Sequence, residues 1–231
     1  MGESATITTP DGTFSAYIAR PAAPKAPAIV VIQEIFGVNA VMRGLADGYA
    51  AEGYLAICPD LFWRTQPGVD ITDQSEAEWK QAFELYNAFD VDLGVKDIAA
   101  AIAHVREDAG CAGKVGAVGF CLGGLLAFLT AARTDIDASV GYYGVGIEKH
   151  VGEADKLADP LMLHIAEEDQ FVPKEAQKLI IASLKNHPQV DIFTYPGRDH
   201  AFARPGGEHF DAGDATTANA RTLGFFKKAL F

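Results

Sequence analysis

The sequence predicts an α/β fold, a mostly parallel sheet with helices on both faces, formed as a single domain over residues 1–231. Apolar runs of strand length alternate with amphipathic runs of helical length along the chain. The central apolar runs show no polar alternation, which is typical of parallel strands buried on both faces. No repeat or low-complexity linker interrupts this order, and a chain of this length can bury one sizeable core.

The first half of the chain predicts an edge hairpin followed by two buried strands. Residues on either side of Asp11-Gly12 alternate in polarity, as the two arms of an antiparallel hairpin do. The stretches APAIVVIQ and YLAICPDL are continuously apolar, and the helical stretch between them ends at Gly53. The predicted strands are 5–9, 13–19, 26–33 and 54–61; a helix is predicted over 39–53, a loop over 64–75, and one or two long helices over 75–108.

The second half predicts four more strands and three helices. Each strand is an apolar run rich in β-branched or aromatic residues, and each helix carries apolar residues at helical spacing. The predicted strands are 114–120, 138–144, 160–169 and 189–197, and the predicted helices are 122–133, 175–186 and 216–231. In open sheets of this kind, ligands bind at the carboxyl ends of the strands. Polar or reactive residues follow those ends at Glu34, Asp60, Cys121, Glu167, Glu168, Asp169 and His200.

Cys121 lies at the centre of GFCLGG, which has the form of a nucleophile elbow with cysteine in the usual place of serine. Gly119 and Gly123 leave room on either side of such a strained turn, where a Cβ would collide with a neighbouring element. The helix that follows directs its free N–H groups and positive dipole end at the sulfur, which favours thiolate and stabilises oxyanions. The glycine spacing differs from the G-x-G-x-x-G pattern of dinucleotide-binding folds. The stretch therefore predicts a nucleophilic cysteine, and a purely structural tight turn is the alternative.

A nucleophile of this kind needs a base, and the base needs an orienting acid. Of the six histidines, only His200 follows a predicted strand, late in the chain as the elbow pattern requires. Between the two lies HIAEEDQFVP, and there Asp169 is the best candidate for the acid because the chain turns before Pro173. We therefore predict a triad of Cys121, His200 and Asp169.

Composition and charge exclude several other classes of function. A net charge of −12 argues against nucleic acid or an anionic membrane surface as the main partner. Three cysteines without a CxxC pair disfavour a disulfide framework or a zinc site, and Cys58 and Cys111 are expected to be buried and inert. No secretory signal or spanning segment is apparent, so we expect a cytoplasmic protein that acts on a small molecule, as a monomer or small homo-oligomer. No cofactor or metal is expected, because Cys121 and His200 lack a third ligand at suitable spacing.

Six stretches, in order along nearly the whole chain, resemble the dienelactone hydrolase family, whose members are also called carboxymethylenebutenolidases. They are QEIFGVN (33–39), CPDL (58–61), GFCLGG (119–124), GYYGVG (141–146), EDQFVP (168–173) and DHAFAR (199–204). The resemblance implies a single α/β-hydrolase domain without a large lid. It also implies a Cys-His-Asp triad at Cys121, His200 and Asp169.

The resemblance implies further roles around the triad. Glu34 would accept the thiol's hydrogen bond and promote the thiolate, although an ion pair to a loop arginine is the alternative for a carboxylate at a buried strand end. The backbone N–H groups of Ile35 and Leu122 would form the oxyanion hole. Phe36 would contact the substrate.

The family binds the carboxylate of its substrate with two arginines, and only one of them has a clear counterpart here. Arg204, in HAFAR, matches the first. The second falls near Trp79, where the sequence has no arginine. Lys80 and Arg64 are possible substitutes, although one step along a helix turns a side chain about 100° away and lysine does not replace arginine at a bidentate site.

Together these residues predict a cysteine hydrolase that opens an enol-lactone ring through a thioester acyl-enzyme, as in the conversion of a dienelactone to maleylacetate. Two alternatives stay open. One is a broader carboxylesterase, thioesterase or lactonase with the same triad, and the other is a non-catalytic module that uses Cys121 as a redox-sensing thiol.

Overall fold

The computed structural model of the chain describes residues 2–231, and its contacts divide the chain into two compact units, Met1–Ala117 and Val118–Phe231. Every predicted strand and helix is present. None of the helices within residues 2–231 is long and apolar enough to cross a membrane. That the chain forms one domain over 1–231 stays a prediction.

In the first unit, an antiparallel hairpin leads into buried parallel strands. The strands are β1 (Glu3–Thr9), β2 (Gly12–Ala19), β3 (Ala26–Ile32) and β4 (Leu55–Pro59), in the spatial order β1-β2-β4-β3, and β5 (Cys111–Phe120) follows β3 in that order and continues into the second unit. β2 pairs antiparallel with both β1 and β4, whereas β3 and β4 are parallel, with Ala28 opposite Leu55. Every residue of β3 and β4 is buried, which accounts for their unbroken apolar sequences.

Side-chain caps set the starts of the helices in the first unit. The helices are α1 (Ala40–Ala51), α2 (Glu76–Ala88) and α3 (Val91–Glu107). Asn39 accepts a hydrogen bond from the Met42 N–H, and Ser75 caps α2 in the same way through Glu78. The long amphipathic stretch divides into α2 and α3 because Phe89 has extended backbone and Asp90 caps Leu93 to begin a new helix.

The second unit consists of parallel strands covered by helices. After the last residues of β5 come α4 (Leu122–Arg133), β6 (Ala138–Tyr142), β7 (Leu161–Ala166), α5 (Lys174–Leu184), β8 (Val190–Tyr195) and α6 (Ala212–Leu230). The strand order is β5-β6-β7-β8, and both β6–β7 and β7–β8 are parallel. Their carboxyl ends therefore share one edge of the sheet. α6 begins four residues earlier than predicted because Asp211 caps it at Asp214.

A buried chain of hydrogen bonds joins β7 and β8 to α6. His164 Nδ1 lies 2.8 Å from Tyr195 Oη, and His164 Nε2 lies 3.0 Å from Thr222 Oγ1. Arg221 donates to Tyr195 Oη, so the tyrosine can donate to Nδ1 and the Nε2–H of a neutral imidazole can donate to Thr222. Burial lowers the pKa of His164 to about 3, and the nearby positive charge of Arg221 adds to this effect. His164 is thus a core side chain that folds in its neutral form.

Because folded His164 stays neutral, we expect the protein to lose stability in mild acid. The unfolded chain binds a proton at His164 below about pH 6.5 while the folded chain does not, so the unfolding free energy falls as pH drops below that value. Between pH 7.5 and pH 5, His164 alone should contribute a loss of about 2 kcal/mol. Urea denaturation of the wild type and of His164→Asn measures it. The variant is expected to have a lower unfolding free energy than the wild type at pH 7.5, but to lose less of it between pH 7.5 and pH 5. His187→Asn, at a surface turn, is the control, and parallel pH curves for all three proteins would contradict the prediction.

Candidate active site

Cys121 occupies the tip of the turn between β5 and α4, in a backbone conformation that residues with a side chain rarely adopt. Its φ is +56° and its ψ is −114°. Its N–H donates to the Tyr142 carbonyl at 3.1 Å, and its own carbonyl accepts from Gly124 N–H at 2.9 Å. These bonds fix the strained residue between β6 and the first turn of α4. Leu122 is the first helical residue, and N–H groups in a first turn have no acceptor within their own helix.

Glycines make this turn sterically possible. A Cβ on Gly119 would overlap the carbonyl oxygen of Gly123, and a Cβ on Gly124 would lie 2.5 Å from the Tyr142 carbonyl oxygen. The turn therefore requires glycine at position 119, because the backbone of Gly123 occupies the position that a side chain there would take.

His200 and Asp169 lie in loops that follow the parallel strands β8 and β7. His200 Nδ1 is 2.8 Å from Asp169 Oδ2, and both side chains are buried. The other oxygen, Asp169 Oδ1, accepts hydrogen bonds from the N–H groups of Phe171 and Val172 at 2.8 and 3.2 Å. The carboxylate is thus held by its own loop and presents its remaining oxygen to the imidazole.

The second unit also brings the sulfur of Cys121 into hydrogen-bond contact with His200. Burial by itself would lower the pKa of His200. The negative charge of a Cys121 thiolate and the Asp169 hydrogen bond outweigh burial and raise that pKa above its ordinary value. An imidazole placed between a cysteine sulfur and a carboxylate is an arrangement that can support nucleophilic cysteine chemistry. The structure thus brings Cys121, His200 and Asp169 together, and their catalytic roles stay predictions.

Three more residues shape this cluster, and the sequence analysis assigned a role to none of them. Among residues 2–231, the non-glycine residues with positive φ are Cys121, Tyr143 and Ala201. Tyr143 follows β6, and its ring meets the His200 imidazole edge-on at 5.0 Å, while Phe171 meets that imidazole edge-on at 4.9 Å. Ala201 directly follows His200. Strained backbone thus concentrates at the candidate site, as it does at many functional sites. The signal in the sequence was that these residues lie in the stretches GYYGVG, EDQFVP and DHAFAR, which carry the family resemblance without giving these positions a role.

In the first unit, the candidates Glu34, Ile35 and Phe36 follow β3, and Asp60 follows β4. Glu34 and Ile35 are buried, and Phe36 packs edge-on against Trp79 at 5.1 Å. Asp60, after β4, has a structural role, because its two carboxylate oxygens accept the N–H groups of Phe62 and Gly68. The catalytic and substrate-binding roles of Glu34, Ile35 and Phe36 stay predictions.

The cationic candidates differ in their surroundings. Arg64 donates two hydrogen bonds to the buried carboxylate of Asp97, at 3.0 and 2.8 Å, and pairs with Asp11 at 2.9 Å. Its guanidinium is engaged within the first unit, which gives no support to a substrate role. The Lys80 side chain is 79% exposed and lies 3.9 Å from Glu84. In the second unit, Arg204 is buried in the loop that carries His200.

All three cysteines are free and buried, so none is tied in a disulfide. Burial raises the pKa of the Cys58 thiol, and the charge of Asp60 adds to this, which fits the inert role expected of Cys58. Within residues 2–231, no group of three or more His, Cys, Asp or Glu side chains is arranged to hold a metal ion.

Comparison with known proteins identifies the family of this chain. A sequence profile of the dienelactone hydrolase family matches residues 14–230. A "Putative carboxymethylenebutenolidase" of Azospirillum brasilense is 52% identical over 224 residues, which is 95% of each chain. The carboxymethylenebutenolidase of Pseudomonas putida is 42% identical over 97% of this chain and 96% of its own.

Solved structures confirm the predicted fold class. The crystal structure of a "Putative Dienelactone Hydrolase" from Klebsiella pneumoniae subsp. pneumoniae MGH 78578 has a TM-score of 0.86 and 26% identity, and the match covers 98% of both chains. An α/β hydrolase from Penicillium sp. sh18, at 14% identity, shares the fold with a TM-score of 0.74. The chain has the α/β-hydrolase fold and belongs to the dienelactone hydrolase family.

Proposed function

We propose that this chain opens the ring of small enol lactones through a thioester formed on Cys121. As a member of the dienelactone hydrolase family, the chain is a hydrolase of carboxylic esters. The observation that carries the finer proposal is the line of contacts from Cys121 through His200 to Asp169, in which His200 Nδ1 and Asp169 Oδ2 are 2.8 Å apart. The proposal takes residues 1–231 as one domain, as the sequence predicts.

In the first half-reaction, the Cys121 thiolate attacks the lactone carbonyl carbon and a carbon–sulfur bond forms. The ring carbon–oxygen bond breaks, and the leaving oxygen departs as an enolate that takes up the proton carried by His200. The backbone N–H groups of Leu122 and Ile35 are proposed to hold the oxyanion; removal of one such donor typically costs about 10²–10³ in rate. Where Cys121 is still in its thiol form, Glu34 is proposed to accept the thiol proton as substrate binds and to return it to the sulfur when the product leaves.

In the second half-reaction, neutral His200 takes a proton from water as the water oxygen attacks the thioester. Asp169 keeps the imidazole in the orientation and tautomer that place Nε2 toward the reacting atoms, and it stabilises the imidazolium that forms. Collapse of the tetrahedral intermediate expels the Cys121 thiolate and releases the acid. The enzyme then returns to its starting state without any other group.

The cysteine itself favours substrates with a stabilised leaving group. A thiolate is a weak base and leaves readily, so an attacked ester returns to starting material unless its own leaving group departs at least as easily. An enolate satisfies this condition, whereas an alkoxide or an amide nitrogen needs a proton first. We therefore expect enol lactones and activated esters to react much faster than alkyl esters.

The charged residues favour an acidic substrate, with Arg204 as the proposed binding residue for its carboxylate. Phe36 is proposed as an apolar contact, and Lys80 stays a weaker candidate because it is exposed. The engagement of Arg64 with Asp97 and Asp11 leaves the family's second arginine without an evident substitute. That observation favours a second candidate function, a broader carboxylesterase, thioesterase or lactonase that uses the same triad. Nucleic acid is not a proposed partner, because its phosphates require basic patches and the net charge here is −12. A reducing cytoplasm is the proposed location, because the Cys121 sulfur must stay unoxidised.

A substrate panel tests the proposal. The values of kcat/KM are measured for cis- and trans-dienelactone, for p-nitrophenyl acetate and for an alkyl ester of a small acid. The expected result is an enol-lactone value at least about 10²-fold above that of the alkyl ester, because one leaving group is stabilised and the other is not. Comparable values for all four substrates would reject enol-lactone selectivity and favour the broader esterase.

A further inference from the structure

Asp199 lies directly before His200, and the mechanism above gives it no role. Its Oδ1 atom accepts two backbone hydrogen bonds, one from the His200 N–H at 2.6 Å and one from the Gln170 N–H at 3.1 Å. Gln170 directly follows Asp169. A single carboxylate oxygen therefore links the loop that carries the acid to the loop that carries the base, at positions next to each of them.

Backbone pairing aligns these two loops up to the residues before the link. The Glu167 N–H donates to the Tyr195 carbonyl at 3.1 Å, and the Glu168 N–H donates to the Arg198 carbonyl at 2.8 Å. These bonds continue the parallel pairing of β7 with β8 beyond the strands. Beyond these backbone bonds, the side chain of Asp199 makes the next connection between the two loops.

The link controls the geometry of the triad because Asp169 is fixed relative to its own loop. Asp169 Oδ1 is held by the N–H groups of Phe171 and Val172, so the position of Oδ2 follows the position of that loop. The distance from Oδ2 to His200 Nδ1 then depends on how the two loops are held together. Hydrogen bonds to an ionised carboxylate are stronger and more directional than neutral ones. Displacements of about 1 Å in a catalytic array can cost about 10²-fold in rate.

The second oxygen of Asp199 faces a different group. His209 Nε2 lies 3.7 Å from Asp199 Oδ2. The Asp199 carboxylate thus contacts three segments of the second unit, and its Oδ1 atom accepts the hydrogen bonds from the loops of Asp169 and His200.

We propose that Asp199 is a positioning residue, whose Oδ1 atom ties the Asp169 loop to the His200 loop and so sets the contact between the two side chains. The inference rests on the proposed function for its effect on rate, but the geometry it describes can be measured without any substrate.

The first test compares three variants by steady-state kinetics on p-nitrophenyl acetate and the enol lactones. Asp199→Ala removes the link and is expected to lower kcat about 10- to 100-fold with KM within about threefold, because orientation is lost while binding is retained. Asp199→Asn keeps a carbonyl oxygen that can accept both N–H groups, so it should restore kcat to within about threefold of wild type. Glu168→Ala is the control. It removes an exposed carboxylate, paired with Lys174, from the position directly before Asp169, and it should leave kcat unchanged.

The second test uses proton NMR of protein labelled with ¹⁵N-histidine and follows the His200 Nδ1–H shared with Asp169. A far-downfield resonance is expected in the wild type, in Asp199→Asn and in Glu168→Ala, and its loss or an upfield shift is expected in Asp199→Ala. A merely structural role would lower the melting temperature and leave this resonance unchanged. Should Asp199→Ala fail to fold, Asp199→Ser takes its place, because its shorter side chain can cap the His200 N–H but does not extend to Gln170.

Two outcomes would overturn the proposal: an unaltered resonance with kcat within twofold of wild type in Asp199→Ala, or equal impairment of Asp199→Ala and Asp199→Asn. If the wild type hydrolyses none of the substrates, the proposed function fails while the resonance still decides the role of Asp199.

Discussion

Replacement of Cys121 by alanine is expected to lower kcat/KM for the preferred substrate by at least about 10⁴-fold, because no other group in the triad can form the acyl-enzyme. The variant should stay folded, since the side chain removed is small and the strained backbone is held by Tyr142 and Gly124. Its urea denaturation midpoint should match that of the wild type within a few tenths of a molar unit. Hydrolysis followed by absorbance of the released enolate or nitrophenolate measures the loss.

Cys111→Ala is the matched control for this variant. Cys111 is another buried free thiol, at the start of β5, and the mechanism does not use it. Its replacement should leave kcat/KM within about twofold of wild type. A Cys121→Ala protein that keeps more than a few per cent of wild-type activity would show that the hydrolysis does not proceed through this sulfur.

Replacement of Gly119 by alanine is expected to lower the unfolding free energy by about 3 kcal/mol or more, since overlap with backbone is among the most costly changes in a core. The added Cβ would overlap the Gly123 carbonyl oxygen in the first turn of α4, and this backbone atom cannot rotate away as a flexible side chain could. The turn that presents Cys121 would have to move, so activity should fall together with stability. Urea denaturation followed by circular dichroism measures the first effect.

Gly152→Ala is the control for steric overlap. Gly152 lies in a short 3₁₀ segment of the second unit, and no atom lies within 4 Å of the position that its Cβ would take. This variant should differ from the wild type by less than about 0.5 kcal/mol. A Gly119→Ala protein with nearly wild-type stability and activity would contradict the account of the elbow.

The order and type of the elements could be predicted because their signals are local. Continuous apolar runs such as 26–32 mark strands buried on both faces, and the structure buries every residue of that run. Boundaries were harder to predict, because they depend on single capping contacts. The break between α2 and α3 is set by Asp90, and the start of α6 by Asp211, and neither residue interrupts the amphipathic pattern around it.

The proximity of Cys121, His200 and Asp169 could also be predicted from the sequence, because each follows a strand end and the ends of parallel strands share an edge. Their catalytic roles stay predictions. The roles of Tyr143, Ala201 and Asp199 could not be predicted. Tyr143 and Ala201 are defined by their backbone conformation, and Asp199 by a hydrogen bond to a residue 29 positions away. Such features arise only when separate loops meet. The stretches GYYGVG and DHAFAR contain these residues but specify neither their backbone conformation nor their hydrogen bonds.

The position of the covalent acyl group tests the central claim most directly. Wild-type protein is mixed with p-nitrophenyl acetate, quenched in acid during the first turnover and digested with trypsin, and the peptides are analysed by mass spectrometry. The account predicts a single acetyl group on the peptide of residues 115–133, carried by Cys121 as a thioester that hydroxylamine removes. Acetyl on any other residue, or rapid hydrolysis with an unmodified Cys121 at every quench time, would contradict it.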